Sequence, residues 1–152
     1  MDILLLSILL SLAPISELRG AIPLAITSGT NPLVAFLVCV ASNLLVAPFV
    51  FFLLDKIYFL IFRKTLKEHG IIQKLKKKSL EKNFNRYGFF ALTIFVAIPF
   101  PLTGAWSGSL IAWVLGFDEK KAIAAVSIGV VIAGVIVTLI SLGIIGFLLF
   151  LL

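Results

Sequence analysis

Charge, cysteine and histidine are all scarce in this sequence. Of its 152 residues 13% are charged and 61% are apolar, where a soluble domain carries roughly a quarter charged residues and under half apolar ones. A single core of that length cannot bury so much apolar surface, so a soluble cytosolic enzyme is excluded. One Cys (Cys39) and one His (His69) exclude a disulfide framework, a Cys/His zinc site and an iron–sulfur cluster. No metal site and no cofactor is expected. The sequence also lacks a nucleophile–base arrangement, paired catalytic carboxylates and a Gly-rich nucleotide loop, so the chain does not read as an enzyme. What remains is an all-α integral membrane protein forming one domain over residues 1–152.

The net charge of +6 is concentrated. Residues 55–86 hold ten Lys/Arg and three Asp/Glu, and the rest of the chain has three basic and four acidic residues. A basic block between apolar stretches reads as a cytoplasmic loop (residues 55–88) on anionic lipid, not as a nucleic-acid surface. Within it Ile71, Ile72, Leu75, Leu80, Phe84 and Tyr87 recur at near-helical spacing with Lys74, Lys76, Lys77, Lys78, Lys82 and Arg86 between them. That pattern predicts an amphipathic helix along the inner surface, against the plainer reading of a solvated, topology-setting loop. His69 reads as a surface residue of that loop.

Four apolar stretches are long enough to cross a bilayer: Ile3–Ser28, Leu33–Leu54, Phe89–Phe117 and Ala122–Leu152. The second and fourth have no charge and read as full spans. The fourth is long enough that it must tilt, bend near Gly143 or Gly146, or project from the bilayer. The first and third are broken in the middle, by Pro14 to Pro23 and by Pro99 to Ser109. Proline removes a backbone donor and glycine tolerates sharp turns, leaving arms of about ten residues, too short to cross. Two re-entrant helical hairpins, residues 3–28 and 89–117, fit this pattern, and kinked full spans are the alternative. Pro14, Pro23, Pro99 and Pro101 are the expected hairpin breakers. The first stretch does not read as a secretion signal, because it starts with Asp2 and carries Glu17 and Arg19 where a cleavage region is small and neutral.

Hairpin, turn and span thus occur twice, in residues 1–54 and 89–152, joined by turns at Gly29–Pro32 and Asp118–Lys121. Gly20-Ala21 precedes Gly104-Ala105 by about 84 residues, a weak internal symmetry of the inverted-repeat kind that places a transporter site where the broken elements meet. The basic loop fixes residues 55–88 in the cytoplasm of a multi-pass plasma-membrane protein. Ala125, Gly129 and Ala133 form a small-residue stripe on the last span, facing either the protein's own core or a second copy. A chain with so few helices is expected to shelter broken backbone as a homodimer. Cys39 reads as a packing residue.

Glu17 and Arg19 are the sharpest functional signal, since ionisable side chains within the bilayer are expensive and generally serve a pathway or a partner. The structural alternative is a mutual ion pair pinning the first break. Arg19 offers a planar donor fork suited to phosphate or carboxylate, and Glu17 a carboxyl able to take up and release a proton. The backbone amides near Gly20 and Gly104, at half-helix N-termini, would favour an anion. Asn43, Trp106 and Ser107 complete the candidate binding residues; for Asn43 an interhelical amide bond and for Trp106 plain packing compete with a functional role. Trp113 reads as an interfacial anchor beside the Asp118 turn.

Ser16-Glu17-Leu18-Arg19-Gly20-Ala21-Ile22-Pro23 together with Pro99-Phe100-Pro101-Leu102-Thr103-Gly104-Ala105-Trp106-Ser107-Gly108 resembles the small multidrug export protein family of archaea and bacteria, over nearly the whole chain. That family is similar in turn to the DedA/VTT superfamily, and Phe84-Asn85-Arg86-Tyr87-Gly88 resembles the approach to the second DedA hairpin. The resemblance implies two opposed re-entrant hairpins and translocation of phospholipids or polyprenyl phosphates. The arginines that usually flank the second DedA hairpin's proline are absent here near Val96 and Leu102, which leaves Arg19 the one basic residue in either hairpin.

Three functions are therefore in competition. The first is transport of an anionic lipid headgroup or lipid-linked phosphate, with membrane lipids as partners and a proton as a possible coupling ion. The second is proton-coupled export of small hydrophobic cations. The third is a non-transporting membrane-assembly component.

Overall fold

A computed structural model describes residues 2–62, 82–100 and 102–151, and every element among them is helical. The elements are α1 (Ile3–Leu12), α2 (Glu17–Thr27), α3 (Pro32–Leu44), α4 (Val46–Phe62), α5 (Lys82–Ala97), α6 (Ala105–Val114) and α7 (Glu119–Leu151). Two helical stretches are long and apolar enough to cross a membrane: Pro32–Tyr58, with mean hydropathy 2.5, and Glu119–Ile144, with mean hydropathy 2.8. α1 and α6 have 10 residues each, so each rises about 15 Å, half of a hydrocarbon core. Two of the four apolar segments thus carry a helical stretch of spanning length, and the other two are divided by breaks after Leu12 and after Ala97.

The breaks have local causes. Pro14 has no N–H to give to the carbonyl four residues back, that of Leu10; the Ser16 hydroxyl supplies the missing bond at 2.6 Å. The chain then turns through Glu17, whose φ of 44° lies in the left-handed region. The second break contains Pro99 and a second left-handed residue, Leu102 with φ 71°. A non-glycine residue in that region costs about 1–2 kcal/mol, so both turns are held by their surroundings rather than by their own preference.

Several sequence expectations change. Pro23 does not break the chain: it lies inside α2, where the helix continues because only the bond to the Arg19 carbonyl is lost. The 33–54 span contains a one-residue turn at Leu45 between α3 and α4, one residue past the Leu44 carbonyl that Pro48 cannot serve. The last helix starts at Glu119 rather than Ala122, because Asp118 caps it by accepting from Lys121 N at 3.1 Å. α5 is already helical at Lys82, seven residues before the expected edge at Phe89. Pro101, His69 and the predicted amphipathic run from Ile71 to Leu80 lie outside the described residues.

Small residues decide the packing. Ala125, Gly129 and Ala133 are buried within the protein's own core. A Cβ at Gly129 would sit 2.7 Å from the Val96 Cβ and 2.8 Å from the Thr93 carbonyl, and the Thr93 hydroxyl reaches the Ala125 carbonyl at 3.2 Å. α5 and α7 therefore run parallel at very close range. Gly134 meets Val40 and Phe36 in the same way on α3. Gly88, near the start of α5, lies against the Phe117 ring just beyond α6, so the two ends of the second broken segment come together. Cys39 is fully buried in this core, as a packing residue would be.

Candidate functional site

The two breaks meet each other. Glu17, 9% exposed, turns its carboxylate onto the start of α6 and accepts the Trp106 N–H at 3.2 Å. Gly104 makes this approach possible, since a Cβ there would coincide with the carboxylate. An acidic group at a helix N-terminus is stabilised by unsatisfied N–H groups and by the helix dipole. Glu17 thus caps a helix that begins 88 residues later in the chain. Ser107 assists, its hydroxyl accepting the Gly104 N–H at 3.0 Å.

Arg19 leaves the same helix in another direction. Its guanidinium donates to the Thr103 hydroxyl at 3.0 Å and to the Ile98 carbonyl at 3.4 Å. Thr103 is fixed in turn, its hydroxyl lying 2.7 Å from the Ile98 carbonyl and 2.8 Å from that of Phe100. No ion pair joins Glu17 to Arg19 among the described residues, so the two charges do not pin one break to itself: each reaches across to the other break.

The remaining predicted residues divide. Trp106 bridges the breaks a third time, its indole donating to the Leu12 carbonyl at 3.0 Å and meeting Phe49 edge-on with centroids 6.2 Å apart. Asn43 is 1% exposed and donates to the Ser11 carbonyl at 2.6 Å, while its Oδ1 has no partner. With Glu17, Val96 and Ala105 it lines a void of about 10 Å³, near the smallest space that holds one water. Gly20 does not present a free amide, since its N–H donates to the Ser16 carbonyl at 3.1 Å inside α2. The amides at the start of α6 face Glu17 and Ser107 rather than an open site. Pro14 and Pro99 line cavities beside Arg19, and Pro23 lines one from within its helix.

Two cavities flank the guanidinium. A cleft of about 120 Å³ between the breaks is lined by Pro14, Glu17, Leu102, Gly104, Trp106 and Ser107 together with Arg19. A slot of about 260 Å³ runs between α2 and α7, lined by Pro23, Thr27, Pro99, Val137, Ile140 and Ser141, again with Arg19. Arg19 is the residue common to both walls. Thr103 escaped the sequence reading, because a lone Thr in a Pro/Gly-rich turn has no spacing that marks it as a partner for a residue in another segment. Trp113 anchors the far end of α6, its indole donating to Asp55 at 2.8 Å and its ring meeting Tyr58 edge-on.

Residues 17–136 match the protein family described as "Putative small multi-drug export protein". No curated protein and no solved structure matches the chain.

Proposed function

Because the chain belongs to the small multi-drug export protein family, shown by a match that spans most of its length, we propose that it is a non-enzymatic membrane transporter that moves an anionic lipid headgroup or lipid-linked phosphate past Arg19. One observation carries this reading: a guanidinium suspended between two helix breaks, forming a wall of two cavities. Glu17 already occupies the N-terminus of α6, so Arg19 is the group left to meet an incoming anion. Its fork of donors suits phosphate geometry, and its present partners, a hydroxyl and a carbonyl, are neutral and weaker than a phosphate oxygen. Substrate binding then exchanges the Thr103 and Ile98 contacts for charge-assisted ones.

The breaks are re-entrant in this proposal, the first entered from outside and the second from the cytoplasm, with residues 55–88 inside the cell. Support comes from the far end of α6, where Trp113 bonds to Asp55 at the edge of the basic block, and from Gly88 meeting Phe117. Both contacts return residue 117 to the side from which α5 starts. The parallel pairing of α5 with α7 and the meeting of the two breaks suit an inverted-repeat carrier of the plasma membrane with its site at mid-depth. Ile15 is 91% and Leu102 84% exposed at the breaks; broken backbone at that depth needs protein around it, which favours a homodimer.

Reconstitution tests the reading. In proteoliposomes the protein should move a labelled phosphate-bearing lipid between leaflets, and Arg19→Ala should abolish the movement while the protein still folds. The family description favours a second reading, proton-coupled export of small hydrophobic cations. That reading requires cation-driven proton flux that disappears in Glu17→Gln and survives in Arg19→Ala.

A further inference from the structure

The slot between α2 and α7 has a chemical character of its own. At about 260 Å³ it is far roomier than the oxygens of a phosphate need. Pro23, Pro99, Val137 and Ile140 make its walls largely apolar. Among the side chains lining it, Arg19 is the one charge; the Ser141 hydroxyl is turned onto its own helix, donating to the Val137 carbonyl at 2.7 Å. The rim is open, since Ile140 is about half exposed and Ile144 more so, and both belong to the helix long and apolar enough to span the bilayer. A pocket walled by one guanidinium and otherwise largely by hydrocarbon is complementary to a molecule with an anion at one end and a chain behind it. It is ill suited to an inorganic anion, which would leave the walls uncovered, and to a hydrophobic cation, which Arg19 repels.

We infer that this slot is a lipid-chain site: it takes the first part of one hydrocarbon chain of a phosphate-bearing bilayer lipid while the phosphate rests on Arg19. The inference rests on the anion reading of Arg19 proposed above and extends it from the headgroup to the whole amphiphile. The chain reaches the slot sideways, past Ile140 and Ile144, and the phosphate draws the guanidinium from Thr103. Selection follows from the pair of contacts together. Arg19 selects for an accessible anion, and the slot favours a phosphate that carries a chain over one that does not.

Calorimetric titration of the full chain in phosphatidylcholine nanodiscs tests this, with empty discs subtracted. The probes are inorganic phosphate, alkyl phosphates from butyl to dodecyl, and dodecyltrimethylammonium. Each added methylene should tighten alkyl-phosphate binding about fourfold until the slot is full. Arg19→Ala should weaken every phosphate probe about tenfold or more. Ile140→Trp and Ser141→Leu fill the slot from rim and wall; both should erase the dependence on chain length while leaving inorganic phosphate within about twofold. Phosphatidic acid placed in the disc should compete with dodecyl phosphate. A chain-length gain unchanged in both filling variants, or no competition by phosphatidic acid, overturns the lipid-chain site and leaves the Arg19 reading standing provided that Arg19→Ala still loses phosphate. Tighter binding of the ammonium probe, or no phosphate binding at all by the unaltered protein, overturns both.

Discussion

The carboxylate of Glu17 accepts the backbone N–H of Trp106 at 3.2 Å, across a separation of 89 residues. One broken segment therefore supplies the cap for the other, and the side chain that a sequence reader assigns to chemistry is also a structural joint. The two roles are separable by substitution. Glu17→Gln retains an oxygen that accepts the Trp106 N–H and should unfold in detergent within about 1 kcal/mol of the unaltered protein. Glu17→Ala loses the cap and keeps the left-handed backbone at φ 44°, so it should be the least stable. Glu17→Gly also loses the cap but removes the steric cost, and should recover about 1 kcal/mol relative to Glu17→Ala. Thermal melts of the three variants read out the order.

Gly104 gives a complementary prediction. Its missing side chain is where the Glu17 carboxylate lies, so Gly104→Ala must push the breaks apart. Overpacking of this kind costs about 1–3 kcal/mol. Lower thermal stability should accompany increased thiol labelling of a cysteine placed at Ser107, with Glu17 kept, in a Cys39→Ala background.

Thr103 holds Arg19 in place, and the prediction concerns affinity rather than folding. Thr103→Val keeps the shape and removes the acceptor, releasing the guanidinium from a bond worth about 1.5–3 kcal/mol when one partner is charged. If substrate phosphate competes with Thr103 for Arg19, alkyl phosphates should bind more tightly to Thr103→Val and about normally to Thr103→Ser. Weaker binding in both would make Thr103 part of the substrate's own shell instead.

Topology has a direct test. A cysteine replacing Glu119, again without Cys39, should react with a membrane-impermeant thiol reagent applied to inside-out vesicles and not to right-side-out cells. Labelling from outside alone would mean that α5 and α6 together cross the membrane.

The sequence revealed the organisation better than the connections. Proline and glycine clusters marked the two breaks, because backbone chemistry is local: Pro14 deprives Leu10 of its partner whatever the rest of the chain does. Asn31 accepting from Leu33 N at 2.9 Å and Asp118 capping α7 are equally local, so both turns were legible. Pro23 misled because a helix tolerates one missing bond when its neighbours hold it. Glu17 and Arg19 were recognisable as costly residues, but their partners were not. Trp106 N–H, the Ile98 carbonyl and the Thr103 hydroxyl become partners only once α2 is docked against the second break, and no periodicity encodes that docking. At Gly104 the sequence suggests a free amide, whereas its decisive property is the room it leaves for a carboxylate. Likewise the Ala125, Gly129 and Ala133 stripe announced a close helix contact without its partner, which the Thr93 and Val96 contacts identify as α5.

The unequal strength of the seams has a mechanical consequence. Where α7 meets α5 the backbones touch with no side chain between them at Gly129, and such a joint has no slack for sliding or tilting. Between the breaks, Glu17, Arg19 and Trp106 make four hydrogen bonds among the described residues, and these can be exchanged one at a time. A swing of the breaks apart during transport is therefore expected at that joint, with the α5–α7 seam staying closed, on the microsecond-to-millisecond scale typical of domain hinges. Spin labels on α2 and α6 should register that swing, while a pair on α5 and α7 stays at constant distance.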